Sequence, residues 1–487
     1  MTRIIRQLIP AIVLSALLSV LACAGHPEAV DVPPQPVSTS NSAEPSADIP
    51  VKTGTPVPTI ESTEVPSSLP SPSPTSVPSP ATATIGAVGD IMMPSIFVSD
   101  ARTKDGTYSF ETLFAPFMEI FQSVDLMCGN LETPVAGDDA GYEGVTAPNT
   151  LLTAFNAPDS MLDTLKEYGF DLLTTANNHC LDKGGKGLYR TIEKVREKGF
   201  YQTGTYLGAE DRKNPCIVEI NGIRIGFVAS TRVLNGAYRD ILTSEEHTVI
   251  GRLTDDGKTL SAEVLTDISR VKEAGAEFII MFPHWDYETD KRPANTTKAL
   301  AKQLFEAGVD CIIGSHPHWI KSAEYMTVER EDGPYTGLVL YSLGNFVASE
   351  SFRLRMGIFA RLTLEKDPVS GKVSLTDAAV LPLFVLRRNI SEGPRNTVVP
   401  AYKDPSRILH LLQPLTAKEV ETIAMARESA LNRFGTVEGI RILDETDLGY
   451  LPLNSARTAH RHPDQTTGTV SAVSFFFSGF FSFLCPA

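Results

Sequence analysis

Four of the nine histidines, His179, His284, His316 and His318, occur in short polar clusters, and further clusters supply Asp90, Asn130, Glu132 and Asn178. Imidazole nitrogen and carboxylate oxygen together form the ligand set of divalent transition ions such as Zn, Mn or Fe. Each element alone is weak, because Gly-Asp after a strand is usually a turn and Asn-Asn-His is usually the start of a capped helix. Their shared placement is what matters. Each cluster stands where an apolar, β-branched run stops, and a binuclear metal site is the chemistry that such a set would serve.

The elements that must position these residues follow from periodicity. Short strands alternate with helical patterns, which implies βα units and a mainly parallel sheet. Three helices are expected to end at Gly169, Gly275 and Gly308, each followed at once by a strand: Phe170 to Thr175, Glu277 to Phe282 and Val309 to Ile313. Those strands run into Asn177-Asn178-His179, His284-Trp285 and His316-Pro317-His318. Two more, Thr84 to Val88 and Val124 to Met127, run into Gly89-Asp90 and Gly129-Asn130-Leu131-Glu132. The carboxyl ends of parallel strands face one crevice, so five clusters delivered there could meet at a single site. Leu338 to Ser342, Phe359 to Leu364 and Leu381 to Leu386 read as further, antiparallel strands, which would make the sheet mixed or double-layered. Residues 205 to 260 hold a strand at Ile223 to Ala229 and then a Gly- and Asp-rich insertion over the crevice. Lys418 to Arg433 reads as an amphipathic helix.

The chain has 487 residues, 43 Lys+Arg against 58 Asp+Glu, and a formal net charge of −15 at pH 7. That charge argues against general affinity for nucleic acid, since long-range repulsion opposes any local basic patch. Residues 1–24 read as a signal peptide, with Arg3 and Arg6 before an apolar run from Ile9 to Leu21. Val20-Leu21-Ala22-Cys23 resembles a lipobox with Cys23 as the lipidated residue, while Ala22-Cys23-Ala24 also fits ordinary signal peptidase. The linker 25–81 follows; residues 27 to 80 carry 14 of the 34 prolines and no aromatic residue, so the segment is expected to be a disordered Pro/Ser/Thr-rich stalk. The main domain is expected over 82–390, a helical appendage over 391–455 and a tail over 456–487. Six phenylalanines between Ser474 and Leu484 form a stretch too short to cross a bilayer, and they are assigned no role. Cys128, Cys180 and Cys311 lie on or beside motif strands; thiolate is a zinc ligand, but an unpaired cysteine more often packs as a small buried hydrophobe.

Gly89-Asp90-Ile91-Met92, Asn130-Leu131-Glu132, Ala176-Asn177-Asn178-His179, His284-Trp285, Gly314-Ser315-His316-Pro317-His318 and Tyr341-Ser342-Leu343-Gly344-Asn345-Phe346 occur in this order. Over roughly residues 82 to 350 the chain thereby resembles the CapA family of poly-γ-glutamate capsule synthesis proteins, within the calcineurin-like metallophosphoesterase superfamily. The resemblance implies an α/β fold of metallophosphoesterase-like mixed sheet layers flanked by helices. It implies two divalent ions, with Asp90 and His318 serving one, Asn178, His284 and His316 the other, and Glu132 bridging. His179 would be the general acid. The wider superfamily has Asp-x-His in the first motif, whereas Met92 stands at its third position here, so one ligand is missing and Asn130 could be recruited. Asp286 departs from the usual glycine after His-Trp and could orient His284 or be an exposed turn residue. Asn345 would support the site by packing and hydrogen bonding, with Gly344 permitting a tight turn.

Three functions follow from this resemblance. The first is an exported, surface-anchored, metal-dependent hydrolase or transferase acting on an anionic polymer such as poly-γ-glutamate or on an envelope phosphoester, with capsule synthesis membrane proteins as partners. The second is a non-catalytic capsule-assembly protein that binds polymer in a degenerate metal crevice. The third is a nucleotidase-like scavenger.

Overall fold

The computed structural model describes residues 79–142, 154–235, 248–290, 292–391 and 393–448. The signal peptide with Cys23, most of the stalk and the Phe-rich tail lie outside the described residues.

Two mixed sheets carry the fold. The first is built on strands β1 (Ala81–Ile91), β2 (Leu126–Leu131), β3 (Leu172–Thr174) and β4 (Tyr201–Thr203), all parallel. The second contains β5 (Cys216–Ile220), β6 (Ile223–Thr231), β7 (Phe278–His284), β8 (Cys311–Ile313), β9 (Ile320–Arg330) and β10 (Gly333–Leu343), in the order β5-β6-β7-β8-β10-β9. The chain then returns to the first sheet. There β11 (Asn345–Val347) pairs with β1, and β12 (Met356–Lys366), β13 (Val373–Ile390) and β14 (Gly393–Pro400) extend its edge antiparallel.

The expectation of mixed sheet layers flanked by helices holds, with two differences of detail. Strand β10 runs parallel to β8 and antiparallel only to β9, because it enters the second sheet through the β9–β10 hairpin. The segment after residue 390 is not wholly helical. Strand β14 pairs with β13 from Ile390↔Gly393 to Leu383↔Pro400, and β15 (Ile440–Ile442) adds to β13, so the sheet continues past that boundary. The expected helix is present as Ala417–Phe434, started by a reciprocal Thr416–Glu419 capping box.

Side-chain alternation explains why the second sheet lies between layers. In β7, Phe278, Ile280 and Phe282 face the core shared with the first sheet, whereas Ile279 and Met281 face the core beneath the helices Ala262–Glu273 and Asn295–Glu306. A strand covered on both sides reads as a continuous apolar run, as this one does. Among the described residues, no helix is long and apolar enough to cross a membrane. The turn after β10 is pinned by Phe346, fully buried and in ring contact with Phe114, Phe117, Phe121 and Phe170. Burial of such a ring is worth about 1.5 to 3 kcal/mol, which holds Asn345 beside the end of β1.

Candidate metal centre

The carboxyl ends of parallel strands from both sheets bring the polar clusters together. Asp90, near the end of β1, is fully buried, and its backbone N–H donates to the Gly344 carbonyl at 3.1 Å. A Cβ at Gly89 would lie 1.9 Å from that same oxygen, so only glycine permits the approach. Asp90 Oδ1 accepts from Asn130 Nδ2 at 2.8 Å, and Oδ2 accepts from the His316 backbone N–H at 3.2 Å. His318 Nδ1 stands 3.3 Å from Asp90 Oδ2 and 3.0 Å from Asn345 Oδ1. Asn345 thus braces His318, and its Nδ2 donates to the carbonyl of Leu354 at 2.7 Å.

Glu132 occupies the middle. Its Oε1 lies 3.4 Å from His284 Nε2 and 3.9 Å from His318 Nε2, yet neither carboxylate oxygen accepts a hydrogen bond. Burial, then the charge of Asp90, pushes its acid well above the usual carboxylate range. His284 Nε2 lies 2.7 Å from Asn178 Oδ1 and Nδ1 lies 2.9 Å from Ser315 Oγ. Burial, then the neighbouring His318 and His179, pulls His284 well below the usual histidine value. His316 packs 4.6 Å from the His284 ring, its Nδ1 has no partner, and burial followed by His284 lowers its basicity in the same way. Burial also works against a charged His318, but the hydrogen bond to Asp90 and that carboxylate's charge outweigh it and hold the ring above the usual value.

Backbone strain concentrates here. Asp286, His316 and His318 have φ of 70°, 95° and 60°, conformations that side-chain-bearing residues rarely adopt and that cost on the order of 1–3 kcal/mol each. Such strain persists where surrounding contacts over-determine it, commonly at functional sites.

His179 lies at the edge of this centre, with Nδ1 2.7 Å from Asp182 Oδ2 and its ring tilted against Phe155 at 4.4 Å. Met92 packs with Phe155 and Ala348 in a small buried apolar cluster, so the position at which the resemblance led us to look for a histidine is filled by packing. Asn130 is not free to replace it: Nδ2 donates to Asp90, and Oδ1 accepts from Thr174 Oγ1 and Asn177 Nδ2 at 3.3 and 3.2 Å.

Asp286 corrects both readings made of it. It is 2% exposed, and its Oδ2 pairs with buried Lys321 Nζ at 2.9 Å, so it neither orients His284 nor sits in an exposed turn. Lys321 is the second residue of β9, the edge strand of the second sheet, so the pair joins the end of β7 to a strand that is not its neighbour. Cys128, Cys180 and Cys311 are free and buried; burial pushes the Cys180 thiol up to about 12 and the other two upward as well, so none is a thiolate near neutrality. Ser315, Asp182 and Lys321 were not singled out by sequence. Asp182, three residues beyond His179, had a local signal, whereas Lys321 is 35 residues from Asp286 and had none.

Two sets of donors lie close enough to share an ion: Glu132 with His316 and His318, and Asp90 with Glu132 and His284. Glu132 is common to both, while His316 and His284 fall in different sets from the pairing that the resemblance implied. The orphaned oxygens of Glu132 and the orphaned Nδ1 of His316 fit divalent cation binding, because buried acceptors normally have partners.

Fold and site together define a layered α/β protein with a buried carboxylate–imidazole centre suited to divalent metal. Residues 84–350 match the family described as bacterial capsule synthesis protein PGA_cap, and the chain belongs to that family. It is 30% identical over 339 residues to the capsule biosynthesis protein CapA of Bacillus anthracis, covering 69% of this chain and 74% of that one. It is 26% identical over 283 residues to the PGA biosynthesis protein CapA of Bacillus subtilis, covering 58% and 67%. A probable polyglutamine synthesis accessory protein of Mycobacterium tuberculosis is 25% identical over 301 residues, 57% of this chain and 72% of that one. The crystal structure of a novel phosphatase from Mycoplasma pneumoniae aligns with a TM-score of 0.34 at 14% identity, over 62% of this chain and 94% of that one.

Proposed function

We propose that this member of the capsule synthesis family is exported, anchored by lipid at Cys23, and acts as a metal-dependent hydrolase or transferase on an anionic polymer such as poly-γ-glutamate or on an envelope phosphoester. The observation that carries the reading is Glu132, a buried carboxylate with no donor of its own among three histidines and Asp90. Asp90, Glu132, Asn178, His284, His316 and His318 would hold the ions. Bound there, divalent metal would supply Lewis acidity at a phosphoryl or carbonyl oxygen and lower the pKa of water.

The chain's own residues then divide the remaining work. Asp182 holds Nδ1 of His179, which fixes the ring and leaves Nε2 to deliver a proton to the departing oxygen or amine. Asn345 and Ser315 fix the rings of His318 and His284 by their remaining nitrogens, the arrangement that orients metal-binding imidazoles. Phe155 covers one side of His179 and keeps water from that face.

The test is His179→Ala assayed on poly-γ-glutamate and on a model phosphodiester. Turnover should fall roughly 10²- to 10⁴-fold with metal content intact. Unchanged turnover contradicts the role. A second reading is favoured by Met92, whose apolar packing replaces a ligand position: a polymer-binding assembly protein without turnover, whose binding would survive His179→Ala.

A further inference from the structure

Beside His316 the crevice widens into a cavity of about 440 Å³, lined in part by Arg232, Arg252, Asp255, Tyr287 and Glu288. Arg232 directly follows β6, and its backbone N–H donates to the carbonyl of His284 at 2.9 Å. Its main chain is therefore tied to that of a residue of the metal centre. Nη2 donates to the Tyr287 hydroxyl at 3.2 Å, and the guanidinium carbon lies 5.0 Å from that ring's centroid. Nη1 is buried and has no acceptor. Arg252 is joined to Thr231, the last residue of β6, by a parallel bridge, and its Nε is likewise buried without an acceptor. Among the described residues, neither Asp255 nor Glu288 pairs with either guanidinium.

Two guanidinium groups that line one cavity, each with a buried N–H donor unanswered, are costly unless an anion completes them. The planar fork of arginine matches the paired oxygens of a carboxylate or phosphate. In a chain of net charge −15 the long-range field repels anions, so local capture of this kind is what an anionic substrate would need.

We infer that Arg232 and Arg252 form an oxyanion-binding subsite that seats a carboxylate or phosphate group of the substrate next to the metal centre. The inference rests on the reading of that centre as one that acts on an anionic chain. The two arginines are positioning residues: they hold the neighbouring unit and do not touch the reacting bond.

The experiment measures binding calorimetrically with the full chain, using a γ-linked glutamate oligomer, the same oligomer with its free carboxyls amidated, and a phosphodiester oligomer. Arg232→Gln or Arg252→Gln should weaken binding of an anionic oligomer roughly tenfold, the size of one lost charge-assisted hydrogen bond. Arg232→Lys should recover part of that loss, the amidated oligomer should not distinguish the proteins, and metal content and melting temperature should stay at wild-type values. A loss confined to the glutamate oligomer assigns the subsite to carboxylate, and one confined to the phosphodiester assigns it to phosphate. Equal affinity of wild type and the double Gln variant for both anionic oligomers, no anion binding by wild type, or loss of metal with either Gln variant overturns the inference. Weakened binding in a protein that turns over neither oligomer leaves the subsite standing and removes the catalytic reading.

Discussion

Two buried polar clusters in this protein have opposite characters. In one, Arg212 and Asp267, each with a side chain 7% exposed, meet at 2.7 Å; the remaining guanidinium donors reach Asp267 again, the Thr248 carbonyl at 2.7 Å and Glu263 at 3.1 Å. In the other, Glu132 is fully buried among Asp90 and three histidines and receives no hydrogen bond. Burial alone therefore does not mark a functional site. The Arg212 cluster supplies its own counter-charges and fastens the helix Ala262–Glu273 to the segment before β5. The Glu132 cluster leaves acceptors unanswered, which a structural cluster has no reason to do and a cation site has every reason to do.

The contrast is sharpest when a charge is removed from each. Asp267→Ala removes the buried counter-charge of Arg212, leaving it the more exposed Glu263 and the Thr248 carbonyl, and should lower the unfolding free energy by about 3 kcal/mol in a denaturant titration. Glu132→Gln, measured with a chelator present, should leave stability unchanged or raise it, since the carboxylate is opposed by burial and by Asp90. A large loss of stability in chelated Glu132→Gln would break the comparison.

The Asp286–Lys321 pair offers a second, intermediate comparison. Lys321→Met alone should destabilise by several kcal/mol, because Asp286 would be left buried and unpaired. Asp286→Leu combined with Lys321→Met should recover most of that loss, to within about 1 kcal/mol of the starting protein by analogy with buried pairs replaced by apolar side chains. Failure to recover would mean that Asp286 serves the crevice rather than the fold.

The smallest effect belongs to the capped helix after the sheet. Burial raises the acid of Glu419, but its hydrogen bond to Arg388 and those from Thr416 outweigh this and hold it below the usual value. A depressed folded value contributes stability above the unfolded pKa near 4.3, lost as pH falls through the folded value. Glu419→Gln should remove that part of the acid limb, by less than about 1 kcal/mol, in melting curves taken from pH 6 to pH 3.

Much of the centre was legible because parallel strands carry their loops to one rim. Asp90, Asn130, Glu132, Asn178, His284, His316 and His318 each follow an apolar run, and the structure brings them together. Which strands belong to which sheet was not legible, because β10 and β12 look alike in sequence and only their partners, β8 and β1, assign them to different layers. Pairings set at long range escaped for the same reason: Asp286 with Lys321, 35 residues further on, and Met92 with Phe155, which is separated from it by more than sixty positions. The ends of the chain, including Cys23, lie outside the described residues.

The most direct measurement is the divalent metal content of the purified full chain, supplied with Zn, Mn and Fe, beside that of Glu132→Gln. Stoichiometric metal in the wild type, falling well below stoichiometry in the variant, is the expected result. A wild-type protein that retains none of these ions, or a Glu132→Gln protein that holds them as fully as the wild type, would contradict it.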